Sequence, residues 1–231
     1  MPPRPNTVYA APVRAKRPCM ICFRHVILNY NPAEGHMPVF RCRFASAATG
    51  KCMLCTERRK ACQLPAEGVQ GDSLDLEVLL EWANFYFGID RDADGDAILD
   101  ADGDEVYEYD DGFRSEICGA VLRLCTAFEA AEKTHRSALG TTGAKKKKRT
   151  TDYPAWVATR RALMQVYPPR PAGNAKKAIE CRLVPGDEGY QLWALAKRIF
   201  KNEMSAAVTL GLGPVQAAVD MASFPLRLDD F

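Results

Sequence analysis

The sequence has few of the residues on which most enzyme sites depend. It contains three histidines among 231 residues, and two of them, His25 and His36, lie in its cysteine-rich segment. It has no phosphate-binding glycine loop, no nucleophile elbow and no metalloprotease helix motif. We therefore expect a protein that is not an enzyme and has no small-molecule substrate.

Long apolar runs are also missing. Residues 1–18 alternate proline, arginine and small residues without the apolar core of a signal peptide, and no stretch approaches the roughly 18 apolar residues of a membrane helix. We therefore expect a soluble protein with no membrane contact in a reducing compartment. There, the nine cysteines serve as metal ligands or buried thiols and not as disulfides.

Six of the nine cysteines fall in residues 19–62, a segment with few large apolar side chains for a core of its own. Their spacing is C-x2-C-x19-C-x9-C-x2-C-x6-C, and they are Cys19, Cys22, Cys42, Cys52, Cys55 and Cys62. Two residues between thiols let both sulfurs face one ion, so this pattern predicts a zinc module. Six thiolates allow either one four-cysteine site with two spare thiols or a two-metal cluster with two bridging cysteines. His25 and His36 are alternative ligands.

The second half of this segment carries basic residues next to its last cysteine. It reads C-x2-C-x6-C from Cys52 to Cys62, with Arg58, Arg59 and Lys60 before the end. In this it resembles the fungal zinc binuclear cluster family of transcription factors, and the resemblance covers about a fifth of the chain. The resemblance implies a nuclear, DNA-binding, transcription-regulating protein in which these three basic residues contact phosphates. The alternative is a zinc-stabilised module that binds a protein partner and no DNA.

For the metal centre, the resemblance implies two zinc ions that share two ligands. Cys19 and Cys52 would be the bridges. The remaining ligands would be Cys22 and Cys42 for one ion, and Cys55 and Cys62 for the other. The family's first half is usually as short as its second, whereas here nineteen residues separate the second cysteine from the third.

The rest of the chain predicts a mostly α fold in which the zinc module, with irregular loops, precedes a helical domain. We expect a flexible basic arm over residues 1–18, a linker over 63–72 and the mainly helical domain over 73–231. Apolar residues at three- and four-residue steps predict helices over about 73–88, 113–139, 154–166 and 190–211, and residues 179–184 suit a short strand.

Two further expectations concern particular side chains of the helical domain. The last helix should place Leu192, Leu195, Ile199 and Met204 on one side. The three remaining cysteines are expected to be buried thiols and not ligands, and they are Cys118, Cys125 and Cys181.

Charge is segregated along the chain. Residues 4–60 are basic and residues 90–111 are acidic, which fits an N-terminal part that meets a polyanion. Asp90, Asp92, Asp94 and Gly95 match the first half of a calcium-binding EF-hand loop. Position twelve of that loop is Ala101 where a bidentate carboxylate belongs, so the acidic segment is predicted to be a solvated loop.

A basic run follows in the segment 140–151, which we expect to be a disordered linker. Its five consecutive cations are Lys145, Lys146, Lys147, Lys148 and Arg149. Such a run among glycine and threonine predicts an accessible nuclear localisation signal, and a solubilising linker is the alternative.

Overall fold

The computed structural model describes residues 13–14, 18–33, 35–40, 42–44, 50–87, 98–103, 106, 109–141, 152–164 and 180–222. Most of these residues are helical, which confirms the predicted fold class. The helices are α1 (Met20–Asn29), α2 (Met53–Glu57), α3 (Gln70–Phe87), α4 (Asp111–Ala138), α5 (Asp152–Met164) and α6 (Tyr190–Ala222). None of the described helices is long and apolar enough to cross a membrane.

A two-stranded antiparallel sheet joins the N-terminal arm to the cysteine segment. Strand β1 (Val13–Arg14) pairs with β2 (Arg43–Phe44), with Val13 opposite Phe44 and Arg14 opposite Arg43. The arm that we expect to be flexible therefore contains a short paired strand next to Cys42.

The segment 63–72 is packed against two helices and is not an extended linker. It contains a 3-10 turn (Glu67–Val69), and α3 begins at Gln70, three residues before the expected start. The backbone N–H of Ala66 donates to a Glu132 carboxylate oxygen at 3.1 Å, and that of Gly68 donates to the Tyr153 hydroxyl at 2.9 Å. These bonds tie the segment to α4 and α5.

A buried carboxylate joins the start of α3 to the C-terminal part of the chain. Asp72 accepts from the Leu183 backbone N–H at 2.9 Å and from the Trp193 indole N–H at 2.8 Å. Burial raises the pKa of Asp72 to about 6, although the two donors act in the opposite direction. Residues 180–184 lie next to the start of α3 but do not form the predicted strand. They are held there by the backbone N–H of Gly71, which donates to the Cys181 carbonyl at 2.8 Å.

Helix α4 lies at the centre and α6 packs along it. Asp110 caps α4 by accepting from the Phe113 backbone N–H at 3.0 Å, as expected of an N-cap carboxylate. On α6, the residues buried on this side are Trp193, Phe200, Met204 and Ala207.

The four apolar residues of α6 do not share one side as predicted. Met204 is buried, whereas Leu192, Leu195 and Ile199 are 42%, 48% and 45% exposed. The two aromatic rings, Trp193 and Phe200, lie seven residues apart on another stripe. Aromatic rings bury more apolar area than leucine or isoleucine, so they decide which side of the helix turns inward.

The cysteine segment shares one continuous core with the helices. An aromatic series runs from Phe40 to Phe23 at 5.1 Å, from Phe23 to Phe128 at 5.7 Å and from Phe128 to Trp193 at 5.4 Å between ring centroids. Phe23 lies on α1 and is fully buried, as is Val26 on the same helix. The segment that lacks a core of its own is thus completed by α4.

Two glycines before α6 provide a matched test of this packing. Gly189 has φ +90°, and a Cβ there would lie 2.6 Å from the Ala131 carbonyl oxygen of α4, whereas Gly186 has φ +94° and open space around it. We expect Gly186→Ala to lower the free energy of unfolding by about 1–2 kcal/mol through backbone strain alone. Gly189→Ala should lower it by a further 1–3 kcal/mol or so, because the clash with backbone forces α6 away.

Urea unfolding monitored by circular dichroism measures both variants. Equal losses for the two substitutions would contradict the close approach of residue 189 to α4.

Candidate metal centre

Both C-x2-C pairs occupy the first turn of a helix. Cys19 is the N-cap of α1 and Cys52 is the N-cap of α2, both with extended backbone, and neither side chain caps its helix. Cys22 and Cys55 follow three residues later in the first turn. Because the helix N-terminus carries partial positive charge, this position favours thiolates. The two halves of the segment therefore present two sulfurs each in the same local structure.

The third cysteine of each half is held in an equivalent way. The backbone N–H of Cys19 points at the Cys42 sulfur, 3.3 Å away, and that of Cys52 points at the Cys62 sulfur, 3.2 Å away. Such N–H···S contacts orient a ligand and stabilise its charge.

The six sulfurs converge on two overlapping groups of four. One group consists of Cys19, Cys22, Cys42 and Cys52, and the other of Cys19, Cys52, Cys55 and Cys62. Within each group the sulfurs lie within 4.8 Å of one another. The Cys19 sulfur is 3.5 Å from that of Cys22 and 3.6 Å from that of Cys55. Zinc bound tetrahedrally at about 2.3 Å places its sulfurs about 3.8 Å apart, so this spacing fits a metal ion.

Burial and crowding make the sulfurs electrostatically dependent on one another. Five of the six cysteines are buried and Cys62 is half-buried. Hydrogen bonds from the Cys22 and Cys42 thiols to the Cys19 sulfur hold the pKa of Cys19 well below its ordinary value. The same hydrogen bonds to Cys19 raise the pKa of Cys22 and of Cys42. Burial raises the pKa of Cys55 and Cys62. Additional thiolates therefore need a cation to offset their mutual repulsion.

Neither histidine belongs to these groups. His25 lies on α1, where its Nδ1 accepts from the Arg58 guanidinium at 2.8 Å and also lies 2.5 Å from the Asn29 side-chain amide nitrogen. Within the described residues, the side chains placed to hold a metal are all cysteines, and His36 is not among them. The candidate ligands are thus all cysteine sulfurs.

The other three cysteines lie outside both groups. Cys118 and Cys125 are buried in α4, and burial raises the pKa of Cys118 to about 12 and that of Cys125 further. Cys181 is also buried and its pKa is raised by burial. These are protonated core thiols, as expected from their apolar neighbours.

The basic residues Arg58, Arg59 and Lys60 directly follow the last residue of α2. The Lys60 backbone N–H donates to the Cys55 carbonyl at 2.9 Å and that of Arg59 donates to the Thr56 carbonyl at 3.0 Å, which is a Schellman ending. Arg59 has φ +52°, a left-handed conformation that glycine normally supplies. All three side chains are exposed. The metal centre and this basic turn are therefore parts of one small structure.

Several predicted sites lie outside the described residues. These are the run Lys145–Arg149, with the surrounding segment 142–151, and the possible calcium ligands Asp90, Asp92 and Asp94. Residues 98–103 are described and exposed, and they form a turn in which Asp102 N–H donates to the Asp100 carboxylate at 2.9 Å.

Helix α1, which begins before Cys22 and extends into the long interval between Cys22 and Cys42, was not predicted from the sequence. Its signal was the spacing of Met20, Phe23 and Val26, which repeats every three residues and is typical of a helix face. No protein-family model matches the chain, and neither a curated protein nor a solved structure matches it.

The left-handed residue at the end of α2 gives a test of this geometry. Arg59→Gly should raise the free energy of unfolding by about 0.5–1 kcal/mol, because glycine adopts positive φ without the cost that a Cβ adds. Arg58→Gly, one residue earlier at φ −81°, relieves no strain and should leave stability unchanged or slightly lower. Urea unfolding of both variants checks the sign, and a loss of stability at position 59 would contradict the Schellman ending.

Proposed function

We propose that this protein is a zinc-dependent nuclear DNA-binding protein that regulates transcription. The observation that carries the proposal is that Cys19 and Cys52 belong to both groups of four sulfurs. That sharing is the arrangement implied by the resemblance to the zinc binuclear cluster family. No other feature of the described residues supports a specific chemistry as directly.

The metal is zinc in this proposal because of the donor set. Four thiolates at tetrahedral spacing suit zinc or an iron–sulfur cluster, whereas calcium and magnesium need oxygen ligands. Zinc stays in one oxidation state and is the usual structural ion of C-x2-C pairs. When bound, it would supply the positive charge that lets neighbouring buried sulfurs all be ionised.

Two ions explain the six cysteines better than one. A single four-cysteine site would leave two thiols with no role beside it. Each group of four is complete only when it includes both shared residues, so two ions bridged by Cys19 and Cys52 use every sulfur. This arrangement assigns Cys22 and Cys42 to one ion, and Cys55 and Cys62 to the other.

Shared and unshared ligands should behave differently on substitution. We expect two zinc ions per chain in the wild type, loss of both in Cys19→Ser, and loss of one in Cys62→Ser. The difference arises because position 19 leaves both groups one ligand short. Native mass spectrometry combined with elemental analysis gives the count.

Cys118→Ala is the matched control, since it removes a buried thiol that lies outside both groups. It should retain two ions. A wild type that holds one ion, and keeps it in Cys62→Ser, would contradict the shared cluster in favour of a single four-cysteine site.

DNA binding is supported by the charge next to the cluster. Arg58, Arg59 and Lys60 are exposed at the end of α2, where they would contact phosphates. The Arg58 side chain is held by His25 of α1, which links this basic turn to the other half of the module. Nuclear import through Lys145–Arg149 completes the proposal.

Replacement of the three basic residues tests the DNA contact. The variant Arg58→Ala/Arg59→Ala/Lys60→Ala should bind duplex DNA more weakly, and the slope of log affinity against log salt should fall by about 2.7, or about 0.9 for each lost phosphate contact. Fluorescence anisotropy across a salt series measures both quantities. Unchanged affinity and slope would remove these residues from the interface.

A protein-interaction module is the second candidate, and one observation favours it. Leu192, Leu195 and Ile199 form an exposed apolar row on α6 at three- and four-residue steps, as in a helix that docks another helix. In this case zinc would stabilise the fold and DNA affinity would be absent at every salt concentration. The anisotropy measurement therefore separates the two candidates.

A further inference from the structure

We infer that the module contacts the phosphates of double-stranded DNA without reading bases, so that its contribution to binding is the same for every sequence. The inference rests on the proposed DNA binding and specifies what that site recognises. Three features support it: neither α1 nor α2 is suited to enter a groove, the exposed cations without an ion pair lie around the turn at residues 58–60, and this turn has a left-handed backbone.

Helix α1 is not available as a recognition helix. Its residues Phe23 and Val26 are buried, and it packs on α4. Arg24, the arginine of α1, is engaged by the Glu129 carboxylate of α4 and donates to the Gln63 side chain at 2.7 Å. The open end of the helix carries Leu28, which is 78% exposed, and Asn29. A helix held this way has no free cation to place in a major groove.

Helix α2 is too short to take its place. Its five residues span about 7.5 Å, whereas recognition helices place several side chains along a groove. Its exposed residues include Met53, Thr56 and Glu57, and the carboxylate of Glu57 repels phosphate. The basic residues come only after the helix has ended. They therefore form a turn that touches the outside of a duplex.

Within the described residues of the module, the exposed cations that lack an ion pair lie around this turn. Arg43 forms an ion pair with Glu81 at 2.6 Å. Among residues 18–62 that the structure describes, the exposed cations without an ion pair are Lys51, Arg58, Arg59 and Lys60. The Cys52 N–H contact to the Cys62 sulfur brings the two ends of this stretch side by side. Four cations at one end of the module suit the phosphates of one backbone.

The backbone of the turn gives independent support. Arg59 holds a left-handed conformation that glycine would adopt at lower cost. Strain retained at an exposed residue indicates that the side chain itself is needed there. Its neighbour Arg58 is oriented by His25, so one guanidinium group of the turn is held in place beside the exposed side chain of Arg59.

The chemistry of the same stretch favours a duplex over a single strand. Residues 50–62 contain no aromatic side chain on which an unpaired base could stack. Guanidinium and ammonium groups bind phosphates of any sequence equally, because the phosphates carry no sequence information.

Selection from a randomised duplex library tests the inference on the full-length, zinc-loaded protein. We expect recovered duplexes with no enriched motif, and affinities that agree within about threefold across AT-rich, GC-rich and mixed 20-base-pair duplexes. The triple variant at positions 58–60 should lose affinity by the same factor on each duplex. An equal-length single strand should bind more weakly than the duplexes.

Arg198→Ala, an exposed arginine on α6, is the matched control and should change neither affinity nor salt slope. An enriched motif, or a triple variant that weakens some sequences far more than others, would overturn backbone-only contact while leaving DNA binding intact. If the wild type bound none of the duplexes, the proposed function itself would be contradicted, so the two failures are distinguishable.

Discussion

The packing of α1 against α4 is the contact on which the rest of the N-terminal structure depends. Phe23 places its ring between Phe40 and Phe128, and this fixes the start of α1, where Cys19 and Cys22 lie. With that half held in place, the second half meets it through the sulfurs and through the bond between Arg58 and His25. The same packing covers one face of α1 and engages Arg24, so that among residues 18–62 that the structure describes, the exposed cations are Lys51, Arg58, Arg59 and Lys60.

The two halves of the cysteine segment are alike in local structure and different in surroundings. Each uses a cysteine as an N-cap, a second cysteine in the first turn and a backbone N–H directed at a third sulfur. The first half continues as a ten-residue helix into the core, whereas the second ends after five residues in a strained turn. Similar local structure around the cysteines thus coexists with different surroundings, because the first half packs into the core and the second carries exposed cations.

Local patterns predicted what depends on local structure. The cysteine spacing indicated a metal module, and helical periodicity placed α3 to α5 within a few residues of their bounds. The predictions that were wrong concern features that depend on residues far away in the sequence. The face of α6 was mispredicted because Trp193 is fixed by Asp72, which lies more than a hundred residues away in sequence. Residues 63–72 contain linker-type glycine and proline, but their N–H groups meet Glu132 and Tyr153. The end of α6 was also predicted wrongly, since the helix continues through Gly211 and Pro214 to Ala222.

The position of Phe23 in the shared core also bears on how such a segment can be inherited or reused. A cysteine module with its own interior is a portable unit that can be joined to any other domain. Here Phe23, Val26 and Phe40 need the surface of α4, so a gene fragment that ends before α4 would encode a segment whose aromatic side is left in water. The segment and its helices are therefore constrained to change together, and a graft of residues 19–62 onto another protein would have to carry α4 with it.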